Sequence, residues 1–107
     1  MMELTGKETS DEIRDLLFES EVLLTRKAMI QIIYDRCHET FDPEGIHAIT
    51  DMLECEAFYY ETGYESVIAD VLFELSTPEI NGAITKQKCL SLIERLSRMP
   101  DAKTARS

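Results

Sequence analysis

An all-α domain, a compact bundle of about five helices, is what this sequence predicts, and three observations carry the prediction. Apolar residues recur at steps of three and four through most of the chain, the spacing that lines one face of a helix. Threonines and an Asp-Pro pair stand directly before several of these runs, where helix N-caps belong. No segment alternates apolar and polar residues as a half-buried strand does, and only four glycines are available for turns. Packing amphipathic helices on one another is the solution open to such a pattern.

Residues 1–8 lack periodicity and read as a loose tail. Thr9 followed by Glu12 forms a capping box for a first helix over about residues 10–21, which turns Ile13, Leu16 and Leu17 inward. Thr25 caps a second, about 26–40, with Met29, Ile32, Ile33 and Cys37 on one face. Asp42-Pro43 opens the third, about 43–62, because a proline at the first helical position gives up an N–H that the helix cannot use. Gly63 supplies its C-cap. The fourth, about 65–76, carries Ile68, Val71, Leu72 and Leu75, and Thr77-Pro78 breaks it. The stretch PEINGA reads as irregular, with Asn81-Gly82 as a turn. Thr85 then caps a last helix over about 86–99 that buries Cys89, Leu92, Ile93 and Leu96 and ends at Pro100. The expected organisation is a single helical domain over 1–107, ordered over about 9–99, with 101–107 a second loose tail.

A faint internal repeat runs through this order. IRDLLFE at 13–19 matches IADVLFE at 68–74 at five of seven positions, and LTRKAMIQII at 24–33 echoes ITKQKCLSLI at 84–93. Amphipathic helices rich in Leu, Ile and Glu resemble one another by chance as well as by duplication. As a duplication, it implies two helical hairpins related by a pseudo-twofold, with the third helix as bridge.

Charge is the most informative part of the composition. Eleven Lys and Arg stand against 21 Asp and Glu, a formal net charge of -10. Residues 37–85 contain no Lys or Arg and 11 acids, whereas residues 80–107 hold six bases and two acids. Phosphate repels a surface of such net charge, so nucleic-acid binding by the whole molecule is disfavoured. The three cysteines, Cys37, Cys55 and Cys89, are odd in number and widely spaced, and no apolar run approaches the roughly 18 residues of a membrane span. The opening MMELTGKETSDE has acids where a signal peptide has a basic and then an apolar region. Reduced thiols and a cytoplasmic location are therefore expected, without a membrane.

On a wheel of about 100° per residue, Ile46, Ile49, Leu53, Ala57 and Tyr60 of the third helix fall within an arc of roughly 80°. Glu44, Asp51, Glu54 and Glu61 occupy the opposite side together with His47, Cys55 and Phe58. An ordinary solvated face mixes charges of both signs; an aromatic ring among unaccompanied carboxylates is what a surface selecting a basic partner offers. The expected partner-binding residues are accordingly Glu44, Asp51, Glu54, Phe58 and Glu61, with Phe58 as anchor.

Other chemistries find less support. Glu44, His47, Asp51 and Cys55 have helical spacings that could face one metal ion, but no HExxH or CxxC motif accompanies them. TPEINGAITKQK places Gly82 as a calcium loop would, yet Thr77 stands at its first position and Lys88 at its twelfth, where carboxylates are needed. Two histidines ten residues apart and no Gly-rich loop make nucleophilic catalysis a weak reading. The sequence thus predicts no enzyme, no catalytic residue, no metal and no cofactor. The leading expectation is a small acidic inhibitor, an immunity or anti-defence protein or similar regulator, that binds a basic protein and occludes it without direct nucleic-acid contact. A homodimer remains open. The alternative is a dimeric DNA-associated transcriptional or biofilm regulator using Lys86, Lys88, Arg95 and Arg98 of the basic last helix, although its preceding linker exceeds the three or four residues or so of a helix-turn-helix.

Overall fold

The computed structural model describes residues 2–56 and 59–98. In chain order these form β1 (Met2–Glu3), α1 (Ser10–Glu19), β2 (Val22–Leu24), α2 (Arg26–Asp35), α3 (Pro43–Glu56), β3 (Tyr59–Tyr60), α4 (Glu65–Ser76), α5 (Pro78–Asn81) and α6 (Lys86–Leu96). The protein is mostly helical, as its periodicity requires, but it is not strictly all-α. A small parallel sheet of order β1-β2-β3 pairs Met2 with Val22, and both Leu23 with Tyr59 and Leu24 with Tyr60.

The caps read from sequence are in place. Thr9 and Glu12 close the full capping box, with Glu12 N–H donating to Thr9 Oγ1 at 3.1 Å and Thr9 N–H to Glu12 Oε1 at 2.8 Å. Thr25 accepts from Ala28 N–H at 3.1 Å, and Thr85 from Lys88 N–H at 3.0 Å. Each cap satisfies a backbone donor that the first helical turn leaves without a partner.

The sheet accounts for most of the departures from expectation. Parallel strands must be joined by crossovers, and here α1 carries the chain from β1 to β2 while α2 and α3 carry it from β2 to β3. Residues 2–8, expected to be loose, hold β1 and bring Leu4 into the core at 1% exposure. Gly6 adopts φ +92° so closely against α2 that a Cβ there would lie 2.5 Å from the Ala28 carbonyl oxygen. The third helix stops at Glu56 instead of continuing to residue 62, because Tyr59 and Tyr60 take up the backbone hydrogen bonding that β2 offers, extended by Glu61 N–H to Leu24 O at 3.0 Å. Gly63 consequently serves the turn before α4, not the end of α3. The second helix ends at Asp35, five residues early, as Cys37 N–H and His38 N–H both turn back onto the Tyr34 carbonyl. PEIN, expected to be irregular, makes the short helix α5, with Pro78 at its first turn.

The core is continuous across these elements. Ile13 of α1, Met29, Ile32 and Ile33 of α2, Ile46, Ile49 and Leu53 of α3, Ile68, Leu72 and Leu75 of α4, and Cys89 and Leu96 of α6 are all fully buried, and Val22 and Leu24 join them from β2. Helix α4 packs on α3 and α6, and α2 packs on α6. No helix among the described residues is long and apolar enough to cross a membrane.

Candidate partner-binding surface

Of the four acids expected on one face of the third helix, Glu44, Asp51 and Glu54 are on α3 and Glu61 is not. Glu44 lies exposed in the first turn of α3, and Asp51 is exposed two turns further on. Glu54 is exposed too, but its carboxylate accepts a 2.7 Å hydrogen bond from Ser76 Oγ at the end of α4. Its negative charge adds to burial in raising the pKa of the nearby Tyr60 phenol, burial being the larger cause. Glu61 has left the helix altogether. It lies just past β3, where its Oε1 accepts from Arg26 N–H at 2.9 Å, so that a carboxylate sits at the positive end of α2. Arg26 Nε is 4.0 Å from the same oxygen, and its guanidinium stacks 4.4 Å above the Tyr64 ring. Glu61 thus caps α2 and is not on the third helix: the wheel continued that helix to residue 62, whereas α3 ends at Glu56. Phe58, the expected anchor, and Ala57 lie outside the described residues.

His47 is likewise turned inward, its Nε2–H donating to the Ser76 carbonyl at 3.1 Å. Between them His47 and Glu54 hold the C-terminal end of α4 against α3. A shallow cleft of about 620 Å³ opens beside them, lined by Pro43, Glu44, His47, Pro78, Ala83 and Ile84. Cys55 is exposed, whereas Cys37 and Cys89 are buried. Burial, together with the adjacent Cys37 sulfur, pushes the Cys89 thiol up to about 11, which keeps it protonated and unreactive at neutral pH. Among the described residues no three His, Cys, Asp or Glu side chains converge as metal ligands would.

Two of the four bases named for the last helix, Lys88 and Arg95, are engaged by other elements of the fold. Lys88 Nζ donates to the Asn81 carbonyl at 2.7 Å, Arg95 pairs with Glu74, and Arg98 pairs with Glu94 at 2.5 Å. Lys86 is exposed.

One prominent surface feature escaped the sequence reading. Phe18, in the last turn of α1, is 85% exposed, the most exposed large hydrophobic side chain among the described residues. Two clefts of about 350 and 320 Å³ flank it. Its signal was in the sequence: at about 100° per residue it falls about 140° around the helix from Ile13 and about 100° from Leu17. No protein-family model, curated protein or solved structure matches this chain.

Proposed function

We propose that this chain is a small non-catalytic protein-binding inhibitor whose acidic surface occludes a basic surface on a partner protein. The observation that carries the reading is the Lys- and Arg-free run from residue 37 to 85. Of its 11 acids, Glu61 and Glu74 have a cationic side-chain partner among the described residues. Asp42 lies within electrostatic reach of Arg36, and exposed carboxylates such as Glu44, Asp51 and Glu56 make the surface acidic. Such a field attracts Lys and Arg, repels phosphate, and competes with any acidic ligand for the same cations. Steering of this kind raises association rates from about 10⁵–10⁶ M⁻¹s⁻¹ to as much as about 10⁸–10⁹ M⁻¹s⁻¹ at low salt. The engagement of Lys88 by the Asn81 carbonyl and of Arg95 by Glu74 favours a protein partner over DNA.

Salt and charge reversal test the reading together. With the partner recovered from the source cell, the association rate should fall steeply between 50 and 500 mM salt, both values being rough choices either side of physiological screening. Glu44→Lys with Asp51→Lys should lower that rate and flatten its salt dependence. Duplex DNA should not bind at near-physiological salt. A DNA shift that Lys86→Glu abolishes would replace the proposal with the regulator reading.

A further inference from the structure

We infer that the partner docks on a ridge centred on Phe18, and that the docking element is an amphipathic segment with Lys or Arg flanking an apolar stripe; this inference rests on the acidic-binder reading above. The two clefts share Leu17, Phe18 and Glu56, so the ring stands as a ridge with a hollow on each side. One hollow has Leu17 and Met52 in its wall, the other Val22 and Tyr59. Apolar side chains three or four residues apart on a partner helix straddle such a ridge, one entering each hollow.

The rim fixes the charge of the occupant. Glu19, Glu21 and Glu56 are exposed around the ring. Among the described residues lining the two hollows Arg14, in the first, is the one cation, and its guanidinium is already 2.5 Å from the Asp11 carboxylate. A second copy of this chain would bring the same carboxylates face to face at a net charge of -10 on each molecule, and an anionic lipid surface meets the same repulsion. A basic segment instead gains an ion-pair partner on each side of the ring. The floor is also set before binding: Tyr59 Oη donates to Glu21 Oε2 at 2.6 Å, tying β3 to the residue before β2, and Leu17 and Met52 pack against the core. A preformed floor saves the ordering cost that a mobile surface would incur. The wider cleft at Pro43, Pro78 and Ile84 has a single carboxylate, Glu44, and nothing comparable to name its occupant.

The test uses the full chain, isotope-labelled for amide NMR, and two synthetic helical peptides of identical composition. One has a Leu stripe flanked by Lys and Arg; the other has the same residues scrambled so that no stripe forms. The striped peptide should shift the amides of Leu17, Phe18, Glu56 and Tyr59 most and bind at least tenfold more tightly than the scrambled one, a difference of about 1.4 kcal/mol. Phe18→Ser, a change at an exposed position, should keep the parent spectrum and lose about tenfold in affinity. Binding centred on Glu44 and Asp51 and unaffected by Phe18→Ser would overturn the ridge and leave the acidic-binder reading standing. Failure of both peptides to bind at low salt would remove that reading as well. A dimer in sedimentation that Phe18→Ser dissolves would assign the ridge to a second copy and overturn the inference.

Discussion

The segments IRDLLFE and IADVLFE share five of seven residues, and both form helix, yet the fold treats them differently. In α4, Ile68, Val71 and Leu72 are fully buried; in α1 only Ile13 is, while Leu16 and Leu17 are partly covered. Phe73 is 45% exposed where Phe18 is 85% exposed, and Glu74 pairs with Arg95 where Glu19 is exposed. Helix α4 has α3, α5 and α6 packed against it, whereas α1 rests mainly on α3. The pattern of a helix therefore sets which face turns inward, but its neighbours set how far that face is covered. An incompletely covered helix leaves an aromatic exposed, as Phe18 is.

Equivalent substitutions in the two segments offer the largest test of that difference. Leu72→Ala should cost about 2–5 kcal/mol in urea unfolding, as for a fully buried leucine, and Leu17→Ala clearly less. Equal costs would mean that α1 is as deeply embedded as α4 and that the comparison fails.

The two halves also differ at their glycines. Gly6 and Gly82 both have φ +92°, but a Cβ at Gly6 meets the Ala28 carbonyl and the Gln31 Cβ at 2.5 Å, whereas one at Gly82 meets nothing within 4 Å. Gly82→Ala should then show backbone strain alone, about 1–3 kcal/mol, and Gly6→Ala that strain plus overpacking of about 1–3 kcal/mol more. Thermal unfolding of the two variants ranks them directly.

The smallest effect concerns Met29 and Cys89, at matching positions of the Thr-capped helices α2 and α6. The Cys89 pKa is raised from 9.0 to about 11, so the native state holds a proton that the unfolded chain gives up more easily. Its stabilising share is present in full below pH 9 and is lost as the pH climbs to about 11, on the order of 2 kcal/mol. Cys89→Met, which copies the α2 residue, should flatten that part of the stability profile relative to the parent. In the native protein Cys55 should react at once with a thiol reagent, and Cys37 and Cys89 only on unfolding.

The helices were legible because their signals are local. Thr9, Thr25 and Thr85 each cap the helix that begins next, and Ile46, Ile49 and Leu53 lie buried on the stripe that the wheel defined. The strands were illegible for the opposite reason. Runs of two or three residues, such as Tyr59–Tyr60, are too short to alternate, and their partners lie far away in sequence. That omission misplaced Glu61. Once Tyr59 and Tyr60 are strand, Glu61 swings to the start of α2 and can no longer join Glu44 and Asp51. Phe18 was visible as an apolar residue off the stripe, but its exposure depended on which elements pack beside α1.

The order of the sheet has a kinetic consequence. Pairing Leu23 with Tyr59 closes a loop across α2 and α3, and its entropic cost falls due before any hydrogen bond of the ladder is made. The α3–α4 contact, between consecutive helices, needs a far shorter closure. The α3–α4 packing should therefore precede the β2–β3 pairing during refolding. Because Val22 and Tyr59 wall one hollow beside Phe18, that hollow is complete only once β2 and β3 have paired, so a chain with its helices packed and this pairing unmade lacks one side of the proposed ridge.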